Sequence, residues 1–312
     1  SDELHRCAIA ASTLAGLYAD VVAELLQQVN VAPSAVRAVG SHGQTVRHRP
    51  ALGYTSQINN PSLLAERSGI AVVADFRSRD VAAGGQGAPL VAAFHRALFG
   101  QPGETRAVLN LGGISNLTAL LADGQTTGFD CGPANVLMDH WSLRHTGQRF
   151  DADGAWAASG RIQPQLLDVL MQEPYFTALP PKSTGRDLFN ADWLGQHLQR
   201  FGRECPPEDV QASLCELTAI TCTQAIKAHA GSARELLVCG GGALNKHLMQ
   251  RLAHHLPGVA VRLTDDRGLP AQHVEAAAFA WLAYRHVHGQ PGNLSAVTGA
   301  AGPRVLGAFY PA

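Results

Sequence analysis

A chain of 312 residues, 46% hydrophobic and 16% charged, carries apolar material for two ordinary cores of about 100 to 200 residues each. Its 24 Lys and Arg nearly balance 25 Asp and Glu, so there is no net basic field of the kind that holds nucleic acid or an anionic membrane surface. The longest strongly apolar run near a helical pattern, residues 276–284, falls far short of the roughly 20 residues that cross a bilayer, so neither a nucleic-acid nor a membrane partner is expected.

The chain opens with SDELHRCAIA, acidic where a secretory leader would be basic, which makes the expected location cytoplasmic. Over residues 2–31, Leu14, Leu17, Val21, Val22, Leu25 and Leu26 recur at helical spacing, and NVAPSA ends the helix they predict. VRAVGSHGQTV then reads as a short strand that ends in Ser41, His42, Gly43 and Gln44. IAVVADFRSRD reads as a buried strand over residues 70–74 that delivers Asp75, Phe76 and Arg77 at its end. The glycine-rich AAGGQGAPL opens into the helical VAAFHRALFG, and RAVLNLGGISNLTALLADG reads as a hairpin turning at Gly112 and Gly113.

GFDCGPANVLMD reads as strand, turn, helix. Pro133 donates no backbone hydrogen bond and so ends the strand, while suiting the first turn of a helix. Asp130 therefore stands at the carboxyl end of a strand, where open α/β sheets present working residues. A helix N-cap is the alternative for the same Asp. FDADGAWAASG and LPPKSTGRDLFN are loop-rich and read as a hinge or linker. After them a helix over residues 208 to about 230, the strand ELLVCGGG, a helix from Asn245, the strand VAVRLTD and a helix over residues 274–286 alternate as a helix-covered sheet requires. The expected fold is α/β in two lobes, residues 1–125 and 126–312, with the final segment returning to the first lobe.

Six cysteines without Cys-x-x-Cys spacing read as reduced thiols, and 14 histidines without His-Glu-x-x-His give no metal site. Three glycine clusters follow strands: Gly84-Gly85-Gln86-Gly87, Gly112-Gly113 and Gly240-Gly241-Gly242. None fits a P-loop or a dinucleotide fingerprint, yet glycines in such places let backbone N–H groups approach an anion closely, and three of them favour a nucleotide.

GSHGQTVRH, ADFRSRDVAAGGQGAPL, LNLGGISN, GFDCGPANVLMD, PKSTGRDLFN, VCGGGALN and TGAAGPRVLGAFYP, in this order, resemble the anhydro-N-acetylmuramic acid kinase family of the sugar kinase and actin superfamily. The resemblance runs the length of the chain. It implies two RNase H-like, actin-like ATPase lobes with the active site between them, and a homodimer. It also implies ATP and Mg2+, with opening of 1,6-anhydro-N-acetylmuramic acid to N-acetylmuramic acid 6-phosphate in cell-wall recycling. The family's Gly-Thr-Ser-x-Asp-Gly phosphate hairpin has no counterpart here, so the N-terminal lobe is expected to lack its first strands and the chain to enter the fold at the long helix.

On that resemblance Asp130 is the catalytic base, a carboxylate that takes the proton of the attacking water. Gly112, Gly113 and Asn116 line a phosphate loop, and Gly240, Gly241, Gly242 and Asn245 face the nucleoside. Ser41, His42 and Gln44 offer hydrogen bonds to the sugar. Arg77 and Arg79 are the candidates to meet its lactyl carboxylate, the one not used pairing at the surface or with Asp80. Glu275, at a helix start, is the lesser candidate for a substrate contact. A sugar-binding chain without activity and an ordinary glycosidase are the alternatives. An ATP requirement for sugar turnover separates the kinase from both.

Overall fold

The computed structural model describes residues 2–312 and divides into two compact units, one running to Phe94 and resuming at Glu275–Ala312, the other His95–Val274. Among the described residues there are ten strands: β1 (Val39–Ser41), β2 (Gln44–Arg49), β3 (Tyr54–Ile58), β4 (Val72–Ala74), β5 (Arg106–Leu111), β6 (Ile114–Leu120), β7 (Thr126–Pro133), β8 (Glu235–Cys239), β9 (Ala260–Leu263) and β10 (Ala308–Tyr310).

In the first unit the expected long helix spans Glu3–Gln28, its N-terminus capped by the Asp2 carboxylate, which accepts the N–H of His5. Ala15 and Ala19 pack it against Leu64 and Ala65 of helix Pro61–Ser68 and against Val72 and Ala74 of β4. The most apolar 18-residue stretch of this helix has a mean hydropathy of 1.5, long and apolar enough to cross a membrane by length and composition, which corrects the selection of residues 276–284 as the longest strongly apolar run. β4 lies between β1, parallel to it from Val39↔Val72 to Ser41↔Ala74, and β10, antiparallel to it. Val73 and Phe76 continue into a core with Leu90, Phe279, Leu282 and Leu306, so the first and last parts of the chain share one core. Gln44 does not extend β1. It opens β2, which pairs with β3 as a separate, largely exposed hairpin.

The second unit is built on one sheet in the order β7-β6-β5-β8-β9, with β5, β6 and β7 antiparallel and β8 and β9 parallel to β5. That is the strand order of an RNase H-like lobe. Helix Pro207–His229 covers it, with Leu214, Leu217, Thr218 and Cys222 buried. The boundary expected between residues 125 and 126 falls inside this sheet: β6 and β7 pair from Leu120↔Thr126 to Ile114↔Pro133 across a turn closed by Leu121 and Gln125. A cut there would break the ladder, so the division lies elsewhere. The expected linker is also part of this unit, because the Asp151 carboxylate accepts the N–H groups of Trp156 and Ala157 and starts helix Ala155–Ser159.

Candidate active site

Parallel pairing of β5 with β8, to Asn110↔Cys239, sets two glycine clusters side by side at the carboxyl ends of the strands. Gly112 and Gly113 turn β5 into β6, and their carbonyls accept the N–H groups of Ala134, Asn135 and Val136 at 3.0 Å each, which docks the turn on the start of helix Asn135–Thr146. Gly240 adopts φ +83°, and a Cβ there would lie 2.4 Å from Asn110 Oδ1, so both backbone angle and contact demand glycine. Gly241 and Gly242 continue into a short 3-10 turn, after which the Asn245 side chain accepts the N–H of Leu248 to cap helix Lys246–His255. Gly241, Gly242 and Asn245 line a cavity of about 470 Å³ whose apolar wall is Met138, Phe150 and Leu244. That volume lies within the range of small-ligand sites. Asp139 also lines it, and burial pushes its carboxyl up to about 6, opposed by Arg186.

Asp130 lies within β7, opposite Asn116 of β6. Asn116 Nδ2 donates to its Oδ1 at 2.9 Å and the Thr184 N–H donates to its Oδ2 at 2.9 Å. The N-cap alternative for Asp130 is excluded, since the following helix is entered through Ala134 without a side-chain cap. β7 runs on through Gly132 to Pro133, past the expected end of the strand. It does so as an edge strand, where proline's missing donor is tolerated. Asn116, expected in the phosphate loop, stands two residues into β6 beyond the turn and turns its amide to Asp130.

The segment that holds Asp130 escaped sequence reasoning, although PKSTGRDLFN was among the motifs. Tyr175 donates its hydroxyl to the Asp130 carbonyl at 2.8 Å, and the Lys182 carbonyl accepts the Asp130 N–H at 3.4 Å. Lys182 Nζ donates to the carbonyls of Tyr175 and Phe176 at 3.0 and 3.3 Å and lies 4.7 Å from the Tyr175 ring centroid. Burial lowers the Lys182 ammonium and raises the Tyr175 phenol, the latter with the Asp130 charge adding to it. The lysine is thus spent on tying the segment together.

In the first unit, three of the expected sugar contacts come together at the ends of β1 and β4. Ser41 is buried, and its hydroxyl accepts from Asn59 Nδ2 at 3.0 Å. His42 packs at a tilt against Phe279 with ring centroids 4.7 Å apart, and its Nδ1 bonds the Gly43 carbonyl at 2.8 Å. Arg77 Nε donates to His42 Nε2 at 2.9 Å, and Arg77 Nη1 donates to the Gly87 carbonyl at 2.6 Å. Burial, and then the Arg77 charge, lowers the His42 imidazole to about 4, so near neutral pH the ring is uncharged with its proton on Nδ1. Gln44 and Arg79 are exposed and stand outside this cluster. The expected surface pair of an arginine with Asp80 is corrected: Asp80 is fully buried and accepts from Gly87, Asn293 and Thr298 instead. Glu275 is exposed in the first turn of helix Val274–Val287, close enough to Tyr18 to add to the rise that burial gives the phenol.

Among the described residues no group of three or more His, Cys, Asp or Glu has the arrangement of a metal site. The model of the family described as anhydro-N-acetylmuramic acid kinase matches residues 1–312. The chain is 57% identical to the anhydro-N-acetylmuramic acid kinase of Cupriavidus metallidurans, over 99% of this chain and 84% of that relative. It is 58% identical to the enzyme of that name from Variovorax paradoxus, over 100% of this chain and 85% of the relative. For Bordetella petrii the figures are 59%, 100% and 82%.

Proposed function

The chain belongs to the anhydro-N-acetylmuramic acid kinase family, and we propose that it carries out the corresponding reaction with Asp130 as general base. In that reaction the oxygen of water bonds to the anomeric carbon of 1,6-anhydro-N-acetylmuramic acid as the bond from that carbon to the bridging oxygen breaks. The bridging oxygen, now on C6 alone, bonds to the γ-phosphorus of ATP, and ADP leaves. The water proton passes to Asp130, and the product is N-acetylmuramic acid 6-phosphate. The observation that carries this reading is the Asp130 carboxylate, fixed by Asn116 and the Thr184 N–H on the same sheet as two glycine turns.

Gly112 and Gly113 present the phosphate loop, while Gly240, Gly241, Gly242 and Asn245 face the nucleoside. The cavity fits that use, with apolar side chains for a base and a backbone that glycine leaves open. Mg2+ travels on the phosphates, since this ion keeps water and phosphate oxygens as ligands and needs no protein cage. Ser41 and His42 address the sugar, with Gln44 and Glu275 as outlying contacts. The chain acts in cytoplasmic recycling of cell-wall sugar, as a homodimer. The test is to supply the purified chain with the anhydro sugar and Mg2+, with and without ATP. Equal amounts of ADP and sugar 6-phosphate, and no ring opening without ATP, are expected. Opening without ATP would place the protein with glycosidases.

Arg77 reads the lactyl carboxylate, because its Nε and Nη1 are already aimed by His42 and Gly87 while Arg79 has no such support. Arg77→Ala is expected to weaken binding of the muramic sugar about tenfold to a hundredfold, the worth of a charge-assisted pair, and to leave the glucosamine analogue without the lactyl group almost unaffected. Calorimetric titration with both sugars measures this, and equal losses would remove Arg77 from that role.

A further inference from the structure

Arg186 stands two residues beyond the Thr184 N–H that holds Asp130. Its backbone is fixed: the Arg186 carbonyl accepts from Asn190 Nδ2 at 3.2 Å, and Asn190 caps helix Ala191–Phe201. The neighbouring Phe189 is fully buried, stacked on Phe176 at 5.6 Å between ring centroids and edge-on to Tyr175. The side chain, in contrast, is exposed and reaches back over the turn of β5 and β6. A Cβ built on Gly113 would lie 3.9 Å from Arg186 Nη2. Among the described residues the guanidinium makes neither a hydrogen bond nor an ion pair, and the carboxylate it acts on is Asp139, which it draws toward ionisation against the effect of burial.

We propose that Arg186 is the cation that meets the γ-phosphate of ATP and the phosphoryl group in transit, a role that rests on the reading of Gly112 and Gly113 as a phosphate loop. A rigid backbone carrying a free guanidinium over a side-chain-less turn leaves room for one anionic group, with backbone N–H groups on one side and a planar bidentate donor on the other. Phosphoryl transfer spreads charge over equatorial oxygens, and fixed positive charge there lowers the barrier with little cost in reorganisation. One short segment then serves both halves of the reaction, since Thr184 holds the base that takes the water proton and Arg186 holds the group that the sugar oxygen receives.

Arg186→Ala and Arg186→Lys are to be compared with the parent chain for kcat, for KM toward each substrate, and for affinity toward ATP and ADP. Arg186→Ala is expected to lower kcat about a hundredfold or more, with KM for the sugar and affinity for ADP within about twofold. Arg186→Lys should recover part of the loss, and added guanidinium should restore turnover to the Ala variant, which a merely structural residue would not allow. A kcat within threefold of the parent, equal losses of ATP and ADP affinity, or a rise in sugar KM alone would each overturn the assignment. Gly113→Val tests the underlying loop separately. If it leaves kcat and ATP affinity intact, the phosphate-loop reading falls. If it abolishes turnover while Arg186→Ala does not, only the role of the arginine falls.

Discussion

Asp130→Asn is expected to lower turnover about a hundredfold to ten-thousandfold, the usual contribution of a general base, while sugar affinity changes little. The amide keeps the shape of the side chain and cannot take the proton of water. The surroundings add a second effect. Both carboxylate oxygens accept from donors, Oδ1 from Asn116 Nδ2 and Oδ2 from the Thr184 N–H. An amide has one acceptor, so in the variant its NH2 must face one of those donors, at a cost of about 1–3 kcal/mol. Thermal midpoint should therefore fall modestly together with activity, and the two effects are separable. Asn116→Ala removes one hydrogen bond and keeps the base, so it should lower the midpoint as well and retain most of the turnover. A turnover in Asp130→Asn within tenfold of the parent would exclude Asp130 as the base, whatever the midpoint.

How much of this site is legible in the chain follows from where each residue's constraint originates. Glycine clusters after apolar strands are local signals, readable as such in the sequence, and at Gly240 the positive φ and the close approach to Asn110 exclude other residues. Asp130 was readable as a strand-end carboxylate, but its N-cap alternative could be settled only by the course of β7 through Pro133, which depends on this being an edge strand. The bond from Asn116 to Asp130 was not legible, because it is set by the register of β6 on β7, a nonlocal pairing that spacing does not encode. The same holds for Thr184, which meets Asp130 through a segment 54 residues away in sequence, and for Asp80, whose acceptors are met by Asn293 and Thr298 at the other end of the chain. The return of the final segment to the first unit was expected, but the boundary at residue 125 was misdrawn for the same reason. Phe279, Leu282 and Leu306 complete the core under Val73 and Phe76, and no feature of composition near residue 125 announces that a sheet continues across it.

Replacing Asp80 should have the largest effect on stability, and it should reach the sugar side of the reaction. Its carboxylate is fully buried with no cation in its set of bonds: Oδ2 accepts the Gly87 N–H at 2.8 Å, and Oδ1 accepts Asn293 Nδ2 at 2.7 Å and the Thr298 hydroxyl at 2.8 Å. Around it the backbone is zipped, with Gln86 N–H donating to the Thr298 carbonyl at 2.7 Å and Ala301 N–H to the Ala83 carbonyl at 2.8 Å. Asp80→Ala takes the acceptor from three donors: the Gly87 N–H is left unmet, at a cost of about 1–3 kcal/mol, and Asn293 Nδ2 and the Thr298 hydroxyl keep only their longer bonds to the Gly302 and Leu294 carbonyls, at 3.3 and 3.4 Å. A loss of about 3 kcal/mol corresponds to a fall of roughly 6–12 °C in the thermal midpoint for a chain body of this size. Asp80→Asn should cost less, because its amide oxygen can still face Asn293 and Thr298 and only Gly87 loses its acceptor. The functional consequence follows from Gly87, whose carbonyl orients Arg77 Nη1. Once the loop carrying it is released, the guanidinium loses the Gly87 carbonyl as a guide, so both variants should raise KM for the muramic sugar and leave KM for ATP nearly unchanged. Calorimetric unfolding together with steady-state kinetics at a temperature where each variant remains folded tests the chain of effects. An unchanged midpoint in Asp80→Ala would refute the buried-anchor account, and an unchanged sugar KM would disconnect the loop from Arg77.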